Sequence, residues 1–160
     1  MKRAAILAIV GALGIVVAVT SAGVAQATPP SGVGAPFTAR ATLGGYHFQS
    51  NDFKIFQKDR EDIVMRELTI ASGGNGGWHS HPGPSYVIVT EGTLSLYHGD
   101  DPTCTAHTFG PGEGFVEAPG EVHIPRNEGT TVVTLLVVFL DVPVGGAFRI
   151  DAPSPGNCSF

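Results

Sequence analysis

Punctuation limits this chain most. After residue 36 its apolar residues come in runs of a few positions, cut by Gly, Pro, Asn and Asp, with no helical periodicity anywhere. The 160 residues include 22 Gly and 12 Pro, too many for a helical bundle and suited to short strands joined by tight turns. Strand-like runs are read at Phe37 to Leu43, Phe53 to Gln57, Ile63 to Ile70, Ser85 to Val89 and Thr93 to Tyr97. Others follow at Phe115-Val116, Val122 to Arg126, Val132 to Leu140 and Ala147 to Ile150. Gly73 to Gly77 reads as a flexible loop and Glu91-Gly92 as a tight turn. About nine strands with frequent turns predict an all-β, antiparallel sandwich or barrel. The run Val132–Leu140 is apolar on both faces, which implies a central strand or burial against a second copy of the chain.

The N-terminus reads differently. Met1-Lys2-Arg3 precedes an unbroken apolar and Gly stretch from Ala4 to Val19, and Ala25-Gln26-Ala27 follows. A basic start, an apolar middle and small residues at Ala-x-Ala positions are the parts of a secretory signal, so residues 1–27 are read as one, cleaved after Ala27. The alternative is an uncleaved membrane anchor, although the uninterrupted run falls short of the ~20 residues that a bilayer core requires. Residues 28–36 are read as a Pro/Gly linker, 37–150 as one folded domain and 151–160 as a C-terminal tail. The formal net charge of −5 becomes more negative once Lys2 and Arg3 leave, and no basic run follows, so nucleic acid is excluded as a partner. Cys104 and Cys158 are the two cysteines, and in an exported chain an even pair predicts one disulfide.

Trp78-His79-Ser80-His81 carries the chemistry. Histidines at i and i+2 on a strand share a face, and His123, in another strand-like run, can add a third imidazole from across the sheet. From spacing alone this trio is a candidate metal centre, set against the plainer reading of satisfied core or surface histidines. The plainer reading is kept for His47, His98 and His107.

Two motifs carry a resemblance. The first runs from Gly73 through His79-Ser80-His81 and Ser85 to Gly92; the second runs from Gly112 through Ala118-Pro119-Gly120 and His123 to Asn127. In this spacing the chain resembles a small single-domain cupin of the secreted bacterial kind. The resemblance implies an antiparallel jelly-roll β-barrel, a divalent metal (Fe, Zn, Mn, Ni or Cu), a small-molecule ligand and a homodimer. It carries the ligand role onto His79, His81 and His123, with Ser85, Tyr86, Glu117 and Asn127 as neighbours of the ligands.

Two positions depart from the pattern. The motif proline stands one place late, at Pro119, and the family's ligating Glu is Ser85 here, whose neutral hydroxyl binds divalent metals weakly. Three neutral imidazoles leave a divalent ion its full charge, which favours an anionic ligand. Three-His cupins include dioxygenases, so the resemblance implies a secreted, dioxygenase-like metalloenzyme acting on a small anionic substrate. The alternative is a non-catalytic metal- or small-ligand-binding cupin. No catalytic residue is assigned. Glu117, Glu121 and Arg126 flank the third histidine, where they either support the ligands or contact substrate, and the plainer reading of solvated loop charges is preferred for each; Trp78, Phe115 and Tyr86 line an apolar pocket or fill the barrel.

Overall fold

In a computed structural model, residues 25–160 are described, so nearly all of the segment read as a signal lies outside them. Among the described residues the chain is all strand and turn, and no helix is long and apolar enough to cross a membrane. The strands are β1 (Ser31–Leu43), β2 (Tyr46–Ser50), β3 (Phe53–Gln57), β4 (Glu61–Asn75), β5 (His79–Ser80) and β6 (Ser85–Glu91). They continue as β7 (Leu94–His98), β8 (His107–Phe109), β9 (Gly114–Glu117), β10 (His123–Arg126), β11 (Val133–Val142) and β12 (Ile150–Asp151).

All pairings are antiparallel. The main sheet runs β12-β5-β10-β4-β11-β6-β9, with β1 on β4 and β7 between β10 and β8, and it curls into a nearly closed jelly-roll barrel. Strands β2 and β3 form a separate hairpin. Alternation along β6 and β11 sends Val87, Val89, Val133, Leu135, Val137 and Phe139 inward to the core. A second, smaller core of Trp78, Tyr97 and Ile124 packs against Cys104 and Cys158. These two cysteines form a disulfide, with Cα atoms 5.3 Å apart.

Several sequence expectations need correction. The supposed linker 28–36 enters the sheet, because Ser31 to Leu43 pair with the edge of β4 whatever their composition. The register slips between Gly34 and Phe37, which lets Pro36, lacking an N–H, sit at an irregularity. The barrel therefore starts at residue 31 rather than 37. Gly73 to Asn75 belong to β4, not to a loop. Of Ala147–Ile150, only Ile150 is in a strand. The expected tail 151–160 is folded onto the barrel: Asp151 lies in β12, and Asn157 donates to the carbonyls of His98 and Asp101 at 2.9 and 2.6 Å. Thr28 is also fixed, its N–H donating to Ala152 O at 3.1 Å and its Oγ1 accepting from Trp78 N at 2.7 Å.

The two faces of Val132–Leu140 are now distinct. Val133, Leu135, Val137 and Phe139 are buried, whereas Leu136 is 43 % exposed on the outer face.

Candidate metal centre

Backbone turns deliver the histidines. Gly77 has a φ of +68°, and a Cβ there would stand 2.2 Å from Thr28 O, so only glycine fits the bend that feeds β5. From that bend His79 enters as the register partner of His123 on β10. His81 lies just past β5, where its carbonyl accepts from Gly120 N at 2.9 Å. All three histidines are buried, and each offers a ring nitrogen within 4.8 Å of the others. Their ring centroids are 4.5 to 5.2 Å apart.

Each ring is oriented by one backbone carbonyl. His79 Nδ1 meets Gly77 O at 2.8 Å, His81 Nδ1 meets Phe148 O at 2.6 Å and His123 Nδ1 meets Glu121 O at 2.9 Å. A carbonyl oxygen can only accept, so each Nδ1 carries its proton, and Nε2 is the ring atom left to face the cluster. This outer hydrogen bonding is what metal-ligating histidines require. Burial, with His123 and Arg149 nearby, pushes the His79 imidazole down to about 2, so it is neutral at any ordinary pH.

The residue that sequence reasoning undervalued is Glu117. It is buried at 6 % exposure, with Oε2 at 3.2 Å from His81 Nε2 and Oε1 at 3.0 Å from His123 Nε2. Its reading as a solvated loop charge is overturned. The signal was available: Phe115 and Glu117 share a strand face by alternation, and Phe115 points inward against the core. Ser85 on β6 is the register partner of Glu117 on β9, and both are buried. A buried carboxylate thus stands opposite Ser85, on the adjacent strand.

Burial alone would raise the Glu117 carboxyl, but His123 and His81 outweigh it and hold the group well below the usual carboxylate range. A carboxylate facing imidazole lone pairs needs a cation between them, either a metal ion or protons on Nε2. His123 Nε2 is fully buried and has no hydrogen-bond partner, although Oε1 is 3.0 Å away. The oxygen therefore lies off the line along which an Nε2–H would point. The three imidazoles fit a divalent metal, and Glu117 borders two of them. Beside it is a cavity of about 40 Å3, lined by His79, His81, Glu117 and Phe115 among others. One or two waters fit there, since one needs only ~10–15 Å3.

Other candidates lie elsewhere. Ser85 Oγ is buried without a partner. Tyr86 is 43 % exposed on the outer face, so it does not border the centre. Asn127 is a structural clamp, its Nδ2 donating to Ile70 O and Thr131 O at 2.8 and 2.7 Å, rather than a neighbour of the ligands. Glu121 pairs with His98, and Arg126 stacks 3.8 Å over Phe160. Trp78 and Phe115 fill the two cores.

Residues 66–139 match the family described as Cupin domain. The germin-like protein subfamily T member 3 of Arabidopsis thaliana is 37 % identical over 81 residues, covering 49 % of this chain. The chain spans 36 % of that relative's length. Among solved structures, an oxalate oxidase is similar at 24 % identity and a TM-score of 0.45, over 50 % of this chain and 42 % of the other. An uncharacterized double-stranded beta-helix protein from Klebsiella pneumoniae is similar at 21 % identity and a TM-score of 0.45, over 56 % of this chain and 75 % of the other.

Proposed function

We propose that this chain, a small cupin, holds one divalent metal through His79, His81 and His123, with Glu117 as the carboxylate ligand, and uses the centre on a small molecule. The observation that carries the reading is the convergence of three imidazole nitrogens, with one buried carboxylate against two of them. When bound, the metal supplies Lewis-acid or dioxygen chemistry, according to whether it is Zn or a redox-active ion such as Fe, Mn, Ni or Cu. The protein's own part is to fix the three tautomers through Gly77, Phe148 and Glu121 carbonyls, and to exclude bulk water with the Phe115 and Phe139 side of the barrel.

Glu117 revises the electrostatics expected from Ser85 alone. Its negative charge reduces the net charge of a divalent centre by one, so anion attraction by the metal itself is weaker than three imidazoles imply. A dioxygenase-like reaction on a small anionic substrate is the catalytic form of the proposal. The non-catalytic form is storage or binding of a metal or small ligand at the same centre. Oxygen uptake by tag-free, metal-loaded protein across a panel of small acids separates the two: consumption supports an oxygenase, and a loaded centre without turnover supports a binding protein.

We further propose export with cleavage after Ala27. The disulfide suits an oxidising compartment. Intact mass of exported protein beginning at Thr28 supports this, and a retained Met1 contradicts it.

A further inference from the structure

Arg66 stands on the inward face of β4. Alternation sets it with Val64, Leu68 and Ile70, of which Val64 and Ile70 are core residues, while its neighbour Met65 is 48 % exposed on the other face. Arg66 donates through Nε to Thr38 Oγ1 at 3.2 Å, and its guanidinium lies 5.0 Å over the Phe148 ring. Among the described residues it forms no ion pair.

A second guanidinium reaches the same space. Arg149 lies between Phe148 and β12, and its Nε donates to Asp151 at 2.5 Å. Its Nη2 is buried without a hydrogen-bond partner. Arg66, Arg149 and His79 together line a cavity of about 260 Å3 whose other walls include Leu68, Ile70 and Leu135. Part of its rim comes from residues 33–35, the segment that its composition marked as a linker.

Of the two guanidiniums only Arg149 has a carboxylate partner, Asp151, so a positive charge is left unmatched in a half-buried site, which is costly without a further anion. The guanidinium fork matches a planar carboxylate better than a single ammonium does. Apolar walls suit a hydrocarbon portion, and the volume falls just below the roughly 300 Å3 at which drug-sized ligand pockets begin.

We infer that this cavity binds a small organic carboxylate, its carboxylate group held by Arg66 and Arg149 and its apolar part against Leu68 and Leu135, beside His79. The inference rests on the reading of the centre as one that acts on a small molecule, and it moves the anion preference from the metal to the two arginines.

The test is calorimetric titration of the exported, metal-loaded chain with benzoate and hexanoate. Benzyl alcohol serves as the neutral control and inorganic phosphate as the alternative anion. Expected is saturable binding of at least one acid, weakened about tenfold or more by Arg149→Gln, since a charge-assisted hydrogen bond carries that much. Arg66→Gln should weaken it likewise; because Arg66 packs on Phe148, Arg149→Gln decides the matter if that variant misfolds. Failure of both acids to saturate by ~20 mM overturns the inference. So does equal binding of benzyl alcohol, a preference for phosphate, or unchanged affinity in Arg149→Gln. Metal content measured on the same samples keeps the two readings apart. Bound metal without acid binding sinks the carboxylate pocket alone, and acid binding by a chain that takes up no metal sinks the metal centre alone.

Discussion

Ser85 and Glu117 face each other across β6 and β9, both buried in the barrel interior, and only Glu117 carries a charge. The strand pair thus exchanges a hydroxyl for a carboxylate at one level of the barrel, keeping an anion beside His81 and His123. This register pairing makes the ligand set testable by substitution.

Glu117→Gln keeps the side-chain shape and removes the charge. Metal affinity should fall by about 100-fold or more, beyond what loss of an outer hydrogen bond costs. Ser85→Ala should change affinity little. Ser85→Glu placed in the Glu117→Gln background should recover much of the loss, whereas Ser85→Glu alone sets two carboxylates against each other and should not tighten binding. Competition titration with a chromophoric chelator reads all four. Equal affinity of Glu117→Gln and wild type removes Glu117 from the ligand set.

Acid should destabilise the metal-free fold through His79. Its imidazole titrates at about 2 in the folded chain against 6.5 for the free group, so between these values the unfolded chain binds the extra proton. Stability therefore rises with pH across that window and falls as pH drops below about 6.5. Urea unfolding of chelator-treated protein at a series of pH values checks this. A His79→Gln variant should show a shallower acid slope, and an identical slope contradicts the assignment.

The Cys104–Cys158 bridge closes a span of 54 residues and packs against Trp78, Tyr97 and Ile124. Its loss through Cys158→Ser should lower stability by about 4 kcal/mol in the chain-entropy account. Thermal unfolding followed by Trp78 fluorescence should shift down by several degrees. An unchanged transition in the reduced protein contradicts the expected role.

Met65, Val138, Tyr86 and Val116 are successive register partners across β4, β11, β6 and β9, and Ile88 and Leu136 lie beside them. Of these, Met65, Tyr86, Ile88, Val116 and Leu136 are exposed. An apolar row this wide is the surface we propose for a homodimer. Light scattering at micromolar concentration should give a dimer, converted to monomer by Leu136→Lys. A monomeric wild type contradicts it.

Strand class and the three histidines were legible because Gly and Pro mark the turns and the motif spacing survives around residues 73–127. The linker reading failed because backbone pairing with β4 overrides the Gly/Pro composition of residues 31–36. Hairpin strand β2 was missed because His47 and Gln49 interrupt its apolar residues, and it is mostly exposed rather than core. Ala147 to Arg149 look strand-like by composition, yet Phe148 spends its carbonyl on His81 Nδ1 rather than on a sheet partner. Glu117 was misjudged because its strand was ended one residue early, at Val116, which hid its shared face with Phe115. Asn127 and Tyr86 border the motif histidines in sequence, but alternation and a backbone clamp turn them to other tasks.

Metal analysis of exported protein purified without a histidine tag tests the central claim most directly. Wild type at neutral pH should carry one divalent ion per chain, and His123→Ala should carry almost none, because the cluster then loses a ligand and leaves Glu117 buried beside the gap. A wild-type chain with no stoichiometric metal after exposure to Fe, Mn, Zn, Ni and Cu, or a His123→Ala variant that keeps its full complement, contradicts the account.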